Sequence, residues 1–144
     1  MSDNVNHPSH YTTTFGQTSI ECIDITRHLP FDLGNAFKYI WRAGHKGDKE
    51  KALEDLEKAR WYLNDYKEHF KNETPDLAHA KMVFSLLKNP VWRAEGSRYK
   101  TLRSIVELNL EYCEVYLKAL EGWLTGEETQ DGFVDTEELE NEHT

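Results

Sequence analysis

Lys38 and Arg42 stand four residues apart in the run Gly34-Asn35-Ala36-Phe37-Lys38-Tyr39-Ile40-Trp41-Arg42-Ala43-Gly44-His45-Lys46. On a helix that spacing is one turn, so both side chains leave the same face. An arginine fork and a lysine point charge so placed can grip one polyphosphate. Phosphoryl transfer asks a protein for little more than positioning and cations aimed at phosphate oxygens. Lys38 and Arg42 are therefore the candidate catalytic cations. Asn35 lies on the same side and Tyr39 at its edge. His45 and Lys46 extend it through a turn bracketed by Gly44 and Gly47. The alternative is a solvated face that makes salt bridges.

Two further groups bear on such chemistry. His7, Ser9, His10 and Tyr11 form a dense polar cluster near the N-terminus. Their rings can stack on a base, and their hydroxyl and imidazole groups can bond phosphate or sugar; equally, Pro8 and Tyr11 can pin an arm to the body. Glu21 and Asp24 are three apart, and with Asp55 they could hold Mg²⁺, which keeps several waters and takes one or two carboxylates. Acids on amphipathic helices are also ordinary surface groups. Lys58 follows Asp55 by three residues, the spacing of a weak surface ion pair. Trp41 and Trp61 read as core residues more readily than as stacking platforms.

The elements that must carry these residues are helical. Ser19 caps a short helix from Ile20 to about His28, ended by Pro30. Asp32 is the expected N-cap of a helix from Leu33 to Ala43, whose apolar face is Ala36, Phe37, Ile40 and Trp41. Asp48 caps a long helix from Lys49 to about Lys71. There Ala52, Leu56, Ala59, Leu63, Tyr66 and Phe70 recur at helical spacing and form a packing seam. The short intervening turn makes the two helices antiparallel. Thr74-Pro75 opens another helix, to about Lys88. A loop over 90–97 leads to a last helix from Arg98 to Leu124, whose apolar stripe is interrupted only by Asn109. No strand-like alternation is evident. The expected architecture is all-α: a bundle of four to five helices with an N-terminal polar arm and an acidic C-terminal tail. Residues 1–125 would be one domain.

Composition bounds the rest. A chain of 144 residues suits one domain and can bury about two thirds of its unfolded surface. Seventeen aromatic residues (4 Trp, 7 Tyr, 6 Phe) speak against disorder. Cys22 and Cys113 sit in apolar segments with no zinc spacing and read as buried thiols. The N-terminus has no apolar stretch of a secretory signal, and no run approaches a membrane span; a reducing cytoplasm is expected. Residues 126–144 hold eight acids and no Lys or Arg, so nearly all the net charge of −9 belongs to this segment. The body has no basic excess, and duplex DNA is not an expected partner. The apolar stripes at 52–70 and 98–124 suggest a homo-oligomer.

Four stretches in fixed order carry a resemblance. They are His7-Pro8-Ser9-His10-Tyr11, Ile20-Glu21-Cys22-Ile23-Asp24, the Gly34–Lys46 run, and Glu54-Asp55-Leu56-Glu57-Lys58-Ala59-Arg60-Trp61-Tyr62-Leu63. Over about residues 6–68 the chain resembles a family of small phage proteins described as nucleotide kinases, after an enzyme that phosphorylates deoxynucleoside monophosphates. Residues 72–125 form a helical extension beyond it. The resemblance implies a nucleotide-binding protein of the host-cell cytoplasm with ATP or another nucleotide as ligand. Its reaction would be phosphoryl transfer to a nucleoside monophosphate. The family's kinase has no Walker A loop, and no GxxxxGK[ST] occurs here. The candidate phosphate-binding residues are then His7, Ser9, His10, Tyr11, Asn35, Tyr39, His45, Lys46 and Lys58, with Mg²⁺ on Glu21, Asp24 or Asp55. Two other functions fit the pattern less directly. One is an all-α Mg²⁺-dependent nucleoside triphosphate pyrophosphohydrolase, for which Glu21xxAsp24 and Glu54xxGlu57 give suitable spacings. The other is a non-enzymatic protein that sequesters a nucleotide or inhibits a host protein.

Overall fold

The computed structural model describes residues 12–15, 18–45, 47–87 and 96–127. They form an all-α bundle with one small hairpin at its N-terminal edge. The helices are α1 (Cys22–Thr26), α2 (Phe31–Arg42), α3 (Lys49–Phe70), α4 (Ala78–Ser85), α5 (Gly96–Val106) and α6 (Leu110–Thr125). His7, Ser9, His10, Tyr11 and Lys46 lie outside the described residues, as does the acidic tail from residue 128. No helix among the described residues is long and apolar enough to cross a membrane.

Where a helix was expected from Ile20, two antiparallel strands come first: β1 (Thr12–Phe15) and β2 (Thr18–Glu21), paired Thr12 to Glu21 and Phe15 to Thr18. The threonine-rich run favours extended backbone because branching at Cβ stiffens χ1. The helix begins only at Cys22, where the Asp24 carboxylate accepts the Glu21 N–H at 2.9 Å. This is a capping box.

Proline ends α1 and also starts α2: Pro30, not Asp32, is the N-cap. Asp32 therefore sits inside the first turn, 6% exposed. Helix α2 buries Leu33, Ala36, Phe37, Ile40 and Trp41 as its spacing requires. Gly34 lies where α2 meets α1, and a Cβ there would make ordinary contact with the Thr26 carbonyl oxygen at 3.4 Å. The turn to α3 uses Gly44 and Gly47, both left-handed (φ +84° and +86°). At Gly44 a Cβ would also meet Leu124 Cδ2 at 2.7 Å. Asp48 caps α3 as expected, accepting the Lys51 N–H at 3.0 Å.

Helices α2 and α3 are antiparallel neighbours. Residues late in α2 meet residues early in α3 (Arg42 with Asp55), and earlier ones meet later ones (Tyr39 and Phe31 with Tyr62). The seam holds from Ala52 to Tyr66 and opens at Phe70, which is 43% exposed. Arg60 ties α3 to Glu121 on α6 at 2.6 Å. One core runs through both halves, from Ile25 and Phe37 through Leu56 and Leu63 to Leu102 and Leu117.

The second half is more broken than its pattern suggested. Helix α4 starts at Ala78, whose N–H the Asp76 side chain accepts at 3.0 Å; Thr74 is not its cap. The expected single helix from Arg98 to Leu124 divides at Leu108, a left-handed residue (φ 54°). The Asn109 N–H then returns to the Ser104 carbonyl at 2.8 Å. Asn109, the one polar interruption in the stripe, marks the break. Both cysteines are buried; burial pushes the Cys113 thiol up to about 12 and Cys22 higher still. They are inert thiols at neutral pH.

Candidate functional site

The basic residues of α2 and α3 converge on one tyrosine. Lys38 Nζ lies 4.5 Å from the Tyr39 ring centroid, the Arg42 guanidinium carbon 5.0 Å and Lys58 Nζ 5.4 Å. The ring's electron-rich face offsets part of the mutual repulsion. Tyr62 stacks on Tyr39 from α3, with centroids 6.1 Å apart and planes 13° from parallel. The antiparallel turn creates this arrangement by setting the polar edge of α2 against the polar edge of α3.

The acids beside this cluster fix its geometry. Asp55 is fully buried and accepts Arg42 Nη2 at 2.9 Å; Lys51 Nζ is 3.5 Å from the same oxygen. Arg42 retains 18% side-chain exposure. Lys58 pairs with Glu54 at 2.9 Å, not with Asp55 as its spacing had suggested. That bond draws the Glu54 carboxyl below its ordinary range and lifts the Lys58 ammonium above its own. Four cations (Lys38, Arg42, Lys51, Lys58) thus face two anions (Glu54, Asp55), and the cluster keeps an excess of about two positive charges.

Other expected site residues divide. Asn35 is positioned by its helix: its amide donates to the Phe31 carbonyl at 3.0 Å and its oxygen accepts from Lys38 at 3.4 Å. His45 is exposed beyond the C-terminal end of α2, its N–H donated to the Arg42 carbonyl. The three metal candidates are not brought together. Asp24 caps α1 and lies 3.7 Å from Arg27. Glu21 forms the other half of that cap. Asp55 is neutralised by Arg42 and Lys51. Among the described residues no three His, Cys, Asp or Glu side chains gather as a metal site.

Sequence reasoning missed two features. Arg98, 2% exposed, donates to the carbonyls of Ile40 (2.6 Å) and Trp41 (3.3 Å), holding the C-terminal turn that carries Arg42. The sequence marks Arg98 only as the start of the last helix, with no sign of this contact. Trp61, expected in the core, is 62% exposed and packs edge-on to Tyr62 at 5.2 Å. It follows the buried Ala59 by two residues, about 200° around the helix, which turns it outward.

Trp61 borders a cleft of about 520 Å³ between the start of α2 and the second half of α3. Asp32 lies in its wall. Loss of solvation and the neighbouring Asp65 carboxyl push Asp32 up to about 6. The folded protein then holds a proton that the unfolded chain has released by pH 5, so this group costs stability as pH rises from about 4 to 6. Asp32→Asn removes that cost. A gain of about 2 kcal/mol is expected at pH 7.5, vanishing near pH 4; urea unfolding at the two pH values measures it.

Residues 5–64, less than half of the chain, match the model of a family described as a protein of unknown function (DUF3310). The match ends within α3 and includes every member of the cationic cluster. No curated protein and no solved structure matches the chain.

Proposed function

We propose that this protein binds a nucleotide through its phosphates on the α2–α3 face. The observation that carries the reading is the convergence of Lys38, Arg42 and Lys58 on Tyr39 within 5.4 Å. Arg42 is held in place by Asp55 and offers an oriented guanidinium, while Lys38, bonded to Asn35, and Lys58, paired with Glu54, supply further positive charge. Beside the cluster a depression of about 310 Å³ is lined by Ile23, Pro30, Phe31, Asn35 and Lys38. It offers apolar surface to a nucleoside next to the cations that take its phosphates.

The proposed activity is kinase-like: phosphoryl transfer from ATP to a nucleoside monophosphate. Lys38 and Arg42 clamp the transferring group, and any Mg²⁺ arrives with the nucleotide. The proposal also places the protein in the host-cell cytoplasm and expects self-association, which light scattering reads directly against a monomer of 16.9 kDa. Incubation with ATP and dGMP or dTMP, with Mg²⁺, should yield ADP. Lys38→Ala should lower the rate at least tenfold. Binding without ADP leaves a nucleotide-sequestering protein; pyrophosphate release from dUTP or dCTP instead would identify a pyrophosphohydrolase. The absence of both binding and turnover refutes the nucleotide reading and leaves inhibition of a host protein.

A further inference from the structure

The 520 Å³ cleft has a chemistry opposite to that of the cationic face. Among the described residues its lining includes the rings of Phe31, Trp61, Tyr66 and Phe70 together with the acids Asp32, Asp65 and Glu73, and no lysine or arginine. Phe31 and Trp61 are 76% and 62% exposed, an unusual position for two large rings on one rim. Beneath them Asp32 is 94% buried, and its Oδ2 has no hydrogen-bond partner among the described residues. The Tyr66 hydroxyl in the same wall is likewise buried and unpartnered there. Such groups are costly unless something satisfies them.

We infer that this cleft is a binding site for a small organic cation, an amine, guanidinium or amidinium head on an apolar or planar body. The head's N–H groups are donors, matching the Asp32–Asp65 carboxyl pair. Its charge offsets the burial of two neighbouring acids, and the aromatic rim accepts both the charge and the apolar body. The volume is that of a small-molecule pocket. Asp32 Oδ2 lies just under the wall, so binding requires a small rearrangement of the side chains over it.

Among the described residues, Asp65, His69, Tyr66 and Glu73 are the titratable groups that line the cleft or act on Asp32. Asp65 shares a hydrogen bond with Asp32 when one of them is protonated. His69 lies 3.5 Å from Asp65, and its charge opposes the rise of Asp32. Glu73 stands at the far wall, beyond the end of α3. Below about pH 6 the pair holds a proton, and the cation must displace it. Affinity then falls by up to tenfold per pH unit.

The cleft includes none of the cations of the cluster; Pro30 and Phe31 line both it and the depression proposed for the nucleoside, so binding here is read at Asp32 and Trp61, which only the cleft contains. Isothermal titration of the full chain with benzamidine and with agmatine at pH 7.5 and 5.0 tests it. Saturable binding is expected at pH 7.5, weaker by several-fold to tenfold at pH 5.0, with quenching of tryptophan fluorescence that Trp61→Phe removes. Asp32→Asn should cost at least tenfold at pH 7.5 and flatten the pH dependence, while keeping a cooperative thermal transition. Saturable binding unchanged by Asp32→Asn, or none with either compound, overturns the proposal.

Discussion

Asp55→Ala should lower stability by about 3 kcal/mol, the lower end for breaking a buried ion pair because Arg42 keeps some contact with water. In a chain of this size that is a fall of about 10 °C in melting temperature. The fully buried carboxylate is the counter-charge for Arg42 at 2.9 Å and Lys51 at 3.5 Å. Without it Lys38, Arg42, Lys51 and Lys58 face only Glu54. The variant should therefore be more sensitive to salt than the wild type, since screening relieves repulsion. Tripolyphosphate should raise its melting temperature more than it raises that of the wild type, because a bound anion stands in for the lost carboxylate. Calorimetric melts at 50 mM and 500 mM NaCl, with and without tripolyphosphate, read both effects. A loss under 1 kcal/mol would mean that the pair is dispensable and Arg42 is not held by it.

Arg98→Met should cost about 2–4 kcal/mol. The methionine keeps the apolar stem but gives no N–H to the Ile40 and Trp41 carbonyls, which lose a donor in a buried setting. It also removes a cation from the negative end of α2. The damage should concentrate in the last turn of that helix. Hydrogen exchange there should quicken more than in α3, and anion binding at Arg42 should weaken although Arg98 is remote from the ligand. Arg98→Lys should recover only part of the loss: both carbonyls accept from Nη1 alone, a donor that an ammonium can replace, but the lysine stem is shorter. Urea melts and exchange rates for the three proteins measure this. Equal exchange in wild type and Arg98→Met would show that the contact is not what orders the turn.

The bundle was legible because its signals are local. The 3.6-residue stripe of α3, the Asp48 cap and the Gly44–Gly47 turn each specify backbone over a few residues, and all three hold. So does the polar edge of α2, from which Lys38 and Arg42 were singled out. The hairpin was missed because alternation was sought on a helical expectation. Thr12–Phe15 and Thr18–Glu21 are threonine-rich runs, and β-branched residues rather than an apolar alternation are their signal for extended backbone. The break at Leu108 was visible only as Asn109 in an apolar stripe; a left-handed leucine carries no local mark. What sequence could not show is partnership across space. Asp55 reads as one acid among many on α3, yet the fold buries it against Arg42. Arg98 is 58 residues from Ile40, the carbonyl it serves. The spacing of Glu21 and Asp24 did not reveal that they share a capping box.

The most direct test of the nucleotide reading is an ¹⁵N–¹H correlation spectrum of the full chain titrated with ATP and, separately, with tripolyphosphate. The account predicts that both ligands shift the amides of Lys38, Tyr39, Arg42, Lys58 and Tyr62 most. ATP alone should also move Ile23 and Phe31, where the nucleoside would sit. Shifts centred elsewhere, or none at millimolar ligand, would contradict it.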